Sequence, residues 1–462
     1  MEGNMKNRSV HPAEVMAASK FNKVHLTVFL WCFFAIAFDG YDIAMYGVSL
    51  PWLMEEWSLT AIQDGAIGSY TLIGMMLGAL IFSPIADQYG RKKVLGFCIF
   101  LFSLFTAAAG LIDSPLLFTI MRFLAALGMG GLMPNAISLM TEYSPKKNRA
   151  VIVAAMYCGY SAGGVLASLV GMFAVPVTSW RVLYLIGAVP LFVLPFFFSR
   201  FPESLSFYVL KKKTKALAEI LNQVHPAGRY REDDNYQISV IAKEKKGFPV
   251  KKLFGQKRAA STFAFWLSVF SCLLMVYGLN TWLPKMMQAS GYGLSSSLSF
   301  NLALCCGQAA GAVFGGYLAD KAGHKKVLAA MYVIGAFCFV AFGMTMNPVL
   351  LYLLIALGGA CTVGAQNIAN PYISEYYPKE IRATGIGWAL GVGRLGAIIA
   401  PSLFALILAS GMEPKQAFMV FAIPSVFAAL GIMLVQEKHA SFDFVSKSES
   451  AGYTLEATSK HG

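Results

Sequence analysis

Twelve apolar blocks of about twenty residues, parted by short polar or basic stretches, leave this chain few folds to choose from. A helix rising about 1.5 Å per residue needs about 20 residues to cross roughly 30 Å of hydrocarbon. In that medium the backbone must satisfy its own hydrogen bonds, so the blocks read as membrane-spanning helices. They fall at 24–50, 61–84, 93–112, 115–140, 149–174, 181–199, 261–286, 296–319, 326–345, 348–373, 382–409 and 415–436. The expected fold is an all-α membrane protein of two six-helix bundles. With 57% hydrophobic and 13% charged residues, a disordered chain, a secreted disulfide scaffold and a water-soluble enzyme are all poor fits.

A net charge of +13 raises the question of nucleic acid, and the placement of the charge answers it. Of the 37 lysines and arginines, all but five lie in loops on one side of the spans or in the termini on that side. The exceptions are Arg181, Lys285 and Lys415 in opposite loops, and Arg122 and Arg394 inside spans. This asymmetry places both termini in the cytoplasm of a cell (inner) membrane. Basic residues scattered over loops offer no base-reading face, so no nucleic-acid partner is expected. The residues before Phe21 are polar and carry no removable signal peptide pattern. The eight cysteines sit in apolar runs without metal-ligand spacing and read as small core residues, so neither a metal nor a cofactor is expected.

The chain divides into a cytoplasmic tail (1–23), a six-helix half (24–199), a lysine-rich linker (200–260), a second half (261–436) and a tail (437–462). An amphipathic helix is expected in the linker around Leu210 to Val224. One offset relates the halves: adding 233 carries Pro51 to Pro284, Asp87 to Asp320, Gly90 to Gly323 and Lys92 to Lys325. It also carries Glu142 to Glu375, Tyr143 to Tyr376, Pro145 to Pro378, Lys146 to Lys379 and Arg149 to Arg382. Two parallel repeats of six helices place a substrate site near the midplane between them.

Charges inside the spans carry the chemistry. An arginine at membrane depth costs about 2.5–3.5 kcal/mol on insertion scales, so Arg122 needs a partner. It lies about seven residues, roughly 10 Å, below the outer surface, at a depth compatible with Asp39 and Asp42 on the first span. Those two carboxylates, at i and i+3, share one helix face. Arg394 sits near mid-depth of the eleventh span among Gly391, Gly393 and Gly396, where a guanidinium can grip a carboxylate bidentately. The offset pairs Arg394 with Ser161 and Arg122 with Ile355, so each half has its own unmatched charge. Tyr41 and Trp388, next to the charged motifs, are the aromatics expected against a flat ring.

The loops Ser83-Pro-Ile-Ala-Asp87-Gln-Tyr-Gly90-Arg91-Lys92-Lys93 and Gly316-Tyr-Leu-Ala-Asp320-Lys-Ala-Gly323-His324-Lys325-Lys326 resemble the signature loop of the major facilitator superfamily. Ser83 replaces the usual first glycine and His324 the usual arginine. The string Phe38-Asp39-Gly40-Tyr41-Asp42-Ile43 looks like the Asp-Gly-x-Asp signature of the aromatic acid:proton symporters, a branch of that superfamily. The arginine span, Cys158-Gly159-Tyr160-Ser161 and Gly391-Val-Gly393-Arg394 extend the likeness over nearly the whole chain. The resemblance implies a non-enzymatic, monomeric, proton-coupled importer of benzoate-like or hydroxybenzoate-like anions. It also implies gating roles for Asp87, Gly90, Arg91, Glu142 and Arg149, and for Asp320, Gly323, Glu375 and Arg382. Asp39, Asp42 and Arg122 are expected to couple protons, with Asp42 the preferred carrier, because all six histidines lie outside the spans or at their edges. Arg394, Tyr41, Trp388 and Asp42 are expected to meet the substrate. Pro202-Glu203-Ser204 is similar to a sugar-porter string, so a sugar stays open, as do a dicarboxylate such as muconate and a non-transporting solute sensor.

Overall fold

The computed structural model describes residues 9–237, 250–344, 347–378 and 381–440. Among them are twelve helical spans long and apolar enough to cross a membrane. These are α1 (Lys23–Glu56), α2 (Ala61–Tyr89), α3 (Arg91–Ala109), α4 (Pro115–Tyr143), α5 (Val151–Val177) and α6 (Arg181–Arg200), then α7 (Ala259–Ala289), α8 (Leu294–Ala322), α9 (His324–Met344), α10 (Pro348–Tyr376), α11 (Thr384–Ala409) and α12 (Gln416–Leu434). Every expected span has its helix, and most helices overrun the apolar block that betrays them. Thus α1 runs 34 residues, roughly 50 Å, through Pro51 to Glu56. Local sequence sets the ends. Asn22 accepts from the Val24 and His25 amides to start α1, and Thr60 with Gln63 forms a reciprocal cap on α2. A π-helical turn, Ala360–Gly364, interrupts α10.

The described residues fall into two compact units, one within 1–243 and 280–302, the other within 244–279 and 303–462. The contact boundary therefore cuts α7 at Asn280, whereas the repeat keeps α7 whole in the second half. Within each unit, glycines let helix backbones touch, which is how helices associate where lipid offers no hydrophobic contrast. The contacts recur at the 233 offset. A Cβ on Gly74 or Gly78 of α2 would run into the carbonyls of Phe123 or Leu127 of α4, and one on Gly307 or Gly311 of α8 would meet the backbone of Ala356 or Ala360 of α10. Gly163 of α5 likewise packs on the Ala37 carbonyl, and Gly396 of α11 on that of Phe270. The repeat is thus legible in packing as well as in loops.

The linker and N-terminal segment add structure that the apolar pattern does not carry. Ser9–Val10 pairs in parallel with Asn235–Tyr236, and the Lys146 amide bonds to the Ala17 carbonyl at 2.9 Å. The amphipathic helix expected around Leu210 to Val224 is Thr214–Val224, with Leu217, Leu221 and Val224 buried, and a short helix, Leu205–Leu210, precedes it. Lys379, one of the offset pairs, lies outside the described residues, as do 1–8, 238–249 and 441–462 of the tails and linker. All eight cysteines are free. Six are buried, but Cys158 is half-buried and Cys306 exposed, so these two are not core residues as expected.

Candidate functional site

Arg122 of α4 is 1% exposed, and its partner is Asp42 of α1, itself fully buried. Nη1 donates to Asp42 Oδ1 at 2.6 Å, and the same oxygen accepts from Thr106 Oγ1 of α3 at 3.2 Å. The guanidinium also lies over the rings of Tyr46 and Tyr184, at 5.7 and 5.8 Å from their centroids. Tyr184 is held in turn by Ser49 at 2.8 Å. Four helices of the first unit therefore converge on one charge. Removing either partner of such a pair strands an uncompensated buried charge, at a cost of about 3–5 kcal/mol. Asp39 is equally buried, but the ion pair forms with Asp42.

Arg394 stands in the second unit on α11, half-buried, with Nη1 donating to the Tyr277 hydroxyl of α7 at 3.3 Å. Its flanking glycines have separate uses. Gly393 and Gly396 take the approach of α7 at Val269 and Phe270, while a Cβ on Gly391 would meet open space. The two aromatics expected against a flat ring have other contacts here. Tyr41 is buried within the first unit, its hydroxyl donating to the Leu183 carbonyl at 2.8 Å, so that hydroxyl is committed to helix packing. Trp388 is 40% exposed and stacks on Trp266 at 5.7 Å. Six residues of helix turn it about 120° away from Arg394, so nearness in sequence does not become nearness in space.

The two signature loops share a backbone and differ in their contacts. Gly90 and Gly323 both adopt positive φ, +102° and +91°, which favours glycine at the turn between helices. In the first copy Arg91 pairs with Asp87 at 3.3 Å and approaches Glu142 at 3.8 Å, while Glu142 Oε1 accepts from the amide and hydroxyl of Ser206. Arg149 donates to the Ser144 carbonyl at 3.2 Å. In the second copy His324, standing where Arg91 stands, stacks on Tyr372, and Lys325 donates to the Val435 carbonyl at 2.7 Å. Asp320 and Glu375 are exposed and Arg382 half-buried. Tyr143 donates to the Glu203 carbonyl at 2.6 Å and Tyr376 to that of Gln436 at 3.2 Å, again 233 apart.

The family profile described as Major Facilitator Superfamily matches residues 32–307 and 301–452. The chain belongs to the major facilitator superfamily. It is 39% identical over 437 residues to the benzoate transport protein of Acinetobacter baylyi, covering 94% of each chain. It is 31% identical to the gallate transporter of Pseudomonas putida, over 88% of this chain and 90% of that one. Identity to the 4-hydroxybenzoate transporter PcaK of Acinetobacter baylyi is 30%, over 94% and 97% of the two chains. A solved D-xylose-proton symporter matches with a TM-score of 0.70 at 17% identity, covering 89% of this chain and 98% of that one, a likeness of fold. The protein is thus a multi-pass membrane transporter rather than an enzyme, and these curated relatives carry aromatic acids.

Against that superfamily frame, several site residues escape a reading of motifs. Thr106, Tyr46, Tyr184 and Ser49 look like ordinary residues of apolar spans, and only the fold aims them at Arg122. Asp64, in the first turn of α2, reads as an acid favoured by the helix dipole, yet it is fully buried. Glu203 did stand out, in the Pro-Glu-Ser string. Its carboxylate accepts from the amides of Lys92 and Ser204, both at 2.9 Å, so it caps α3 at the signature loop. That role carries no information about a sugar.

Proposed function

We propose that this protein is a proton-coupled importer of aromatic carboxylates of the benzoate or hydroxybenzoate class, working by alternating access in the inner membrane with both termini cytoplasmic. The observation that carries the reading is the buried Asp42–Arg122 pair, an ionised couple placed among four helices where hydrocarbon would not tolerate it idle. The names of the relatives supply the substrate class. In this mechanism Asp42 takes a proton, which frees Arg122 from its counter-ion and changes what the cluster of α1, α3, α4 and α6 must hold together. Arg394, beside Tyr277, binds the substrate carboxylate as a two-pronged donor. The two six-helix halves are the moving bodies, and one chain suffices as the working unit.

Charge arithmetic ties the driving force to the stoichiometry: more than one proton per monoanion would make import electrogenic. One proton carried with one monoanion moves no net charge, so the membrane potential, worth about 2.3 kcal/mol per charge per 100 mV, contributes nothing and the pH gradient drives import. Uptake of labelled benzoate into proteoliposomes, with voltage and pH set independently, tests this. Accumulation should follow the pH gradient and ignore voltage, and Asp42→Asn should abolish it. Normal accumulation by Asp42→Asn would remove Asp42 from the mechanism.

A further inference from the structure

Against Tyr46, one turn along α1 from Asp42, the first unit buries an acid of α2 that the mechanism above leaves unused. Asp64 is 0% exposed although it belongs to the first turn of α2, where an acid usually faces water. Tyr46 of α1 donates its hydroxyl to the Asp64 backbone carbonyl at 2.7 Å and lies 3.4 Å from Oδ1. Oδ2 accepts no hydrogen bond, and among the described residues Asp64 makes no ion pair. The other groups acting on it are Lys285 of α7 and the Tyr184 hydroxyl of α6. Arg122 of α4 lies beside the same Tyr46 ring. An ionised carboxylate so placed forgoes nearly all the solvation it had in water. Oδ2, by contrast, can take a proton without any hydrogen bond being lost.

Two buried carboxyls, Asp42 and Asp64, thus flank Tyr46 and the Arg122 guanidinium, and the guanidinium is bonded to Asp42 alone of the two. We propose that Asp64 is a second proton-binding carboxyl, protonated while Arg122 is paired with Asp42, which loads the proton that Asp42 later carries. The exchange balances: Asp64 gives up its proton and becomes the carboxylate that holds Arg122, while Asp42 gains a proton and loses its counter-ion. The charge of the cluster is unchanged, so the step adds no buried charge. Tyr46 is the hydroxyl between them that can follow the guanidinium.

This rests on the proton-coupling reading, and the experiment separates the two. Asp64→Asn, Asp64→Glu, Tyr46→Phe and Asp42→Asn are reconstituted with labelled benzoate. Two quantities are measured: uptake as a function of external pH, and exchange of external label for internal unlabelled benzoate, which needs no net proton movement. Asp64→Asn should keep exchange, lose the rise of uptake at acid external pH, and fill vesicles only to the outside concentration. Asp64→Glu should restore a pH-dependent rise with a displaced midpoint, and Tyr46→Phe should displace the midpoint of the native acid. An unchanged pH profile in Asp64→Asn overturns the proposal, and if Asp42→Asn loses accumulation in the same assay the coupling reading survives it. If both variants accumulate normally, the coupling reading itself falls. If Asp64→Asn loses exchange as well, Asp64→Glu and Tyr46→Phe decide: native midpoints in both make Asp64 a packing residue and overturn the proposal.

Discussion

The Asp42–Arg122 pair permits a thermodynamic test that needs no transport. Asp42→Leu leaves a guanidinium at 1% exposure with two aromatic faces and without the carboxylate it is paired to. Arginine cannot shed its proton in a protein, so the loss should approach the full about 3–5 kcal/mol of a broken buried pair. The Tyr46 and Tyr184 rings offset part of it, by about 2 kcal/mol if one desolvated cation–π contact strengthens. Arg122→Met strands a carboxylate instead, and a carboxylate can escape by taking a proton, so this variant should be milder and should recover as pH falls. The double variant replaces both charges with apolar groups of similar size and should be far closer to the parent than the two losses added together. Thermal unfolding of purified protein in detergent reads this out. At about 2–4 °C per kcal/mol for a unit of this size, Asp42→Leu should lower Tm by roughly 6–20 °C, or by about 2–12 °C where the rings offset about 2 kcal/mol of the loss. Additive losses in the double variant, or an Asp42→Leu Tm within about 2 °C of the parent, would refute the claim that the pair is a coupled, water-free unit.

Other expectations follow from single contacts. Glu203→Ala should cost about 1–3 kcal/mol by leaving the Lys92 and Ser204 amides unsatisfied, and amide exchange at the start of α3 should quicken first. Gly90→Ala should destabilise by more than about 1 kcal/mol, because φ is +102° and a Cβ would strike the Glu203 carboxylate; Gly387→Ala, which meets nothing within 4 Å, should be neutral or slightly stabilising in the same melts. Arg394→Lys should raise the KM for benzoate at least about tenfold by losing the planar two-pronged grip. Trp388→Leu should leave that KM unchanged, since the ring stacks on Trp266.

How much of this was legible beforehand differs residue by residue. Arg122 announced itself because lipid penalises charge, and its partner was narrowed to two aspartates by depth. Choosing Asp42 over Asp39 took the rotation of α1 against α3 and α4, which no spacing encodes. Gly90 and Gly323 were readable because a tight turn between antiparallel helices demands a left-handed residue at one place. The contacts of Tyr41 and Trp388, with the Leu183 carbonyl and Trp266, were not readable because adjacency along a helix scatters side chains over its circumference. Asp64 stayed hidden because its burial is made by α1, not by its own neighbours in sequence.

The chain by itself determined that twelve helices form, that six of them repeat at an offset of 233, and that a few charges inside them must have partners. Those follow from hydrocarbon thickness and the cost of bare polar groups, which act on any segment wherever it ends up. Tertiary structure alone decided which carboxylate meets Arg122, that the Glu203 side chain closes the head of α3, and that Asp64 is sealed beneath Tyr46. Each depends on how one helix is turned about its axis against another, and that angle is set by side chains from many segments packing at once.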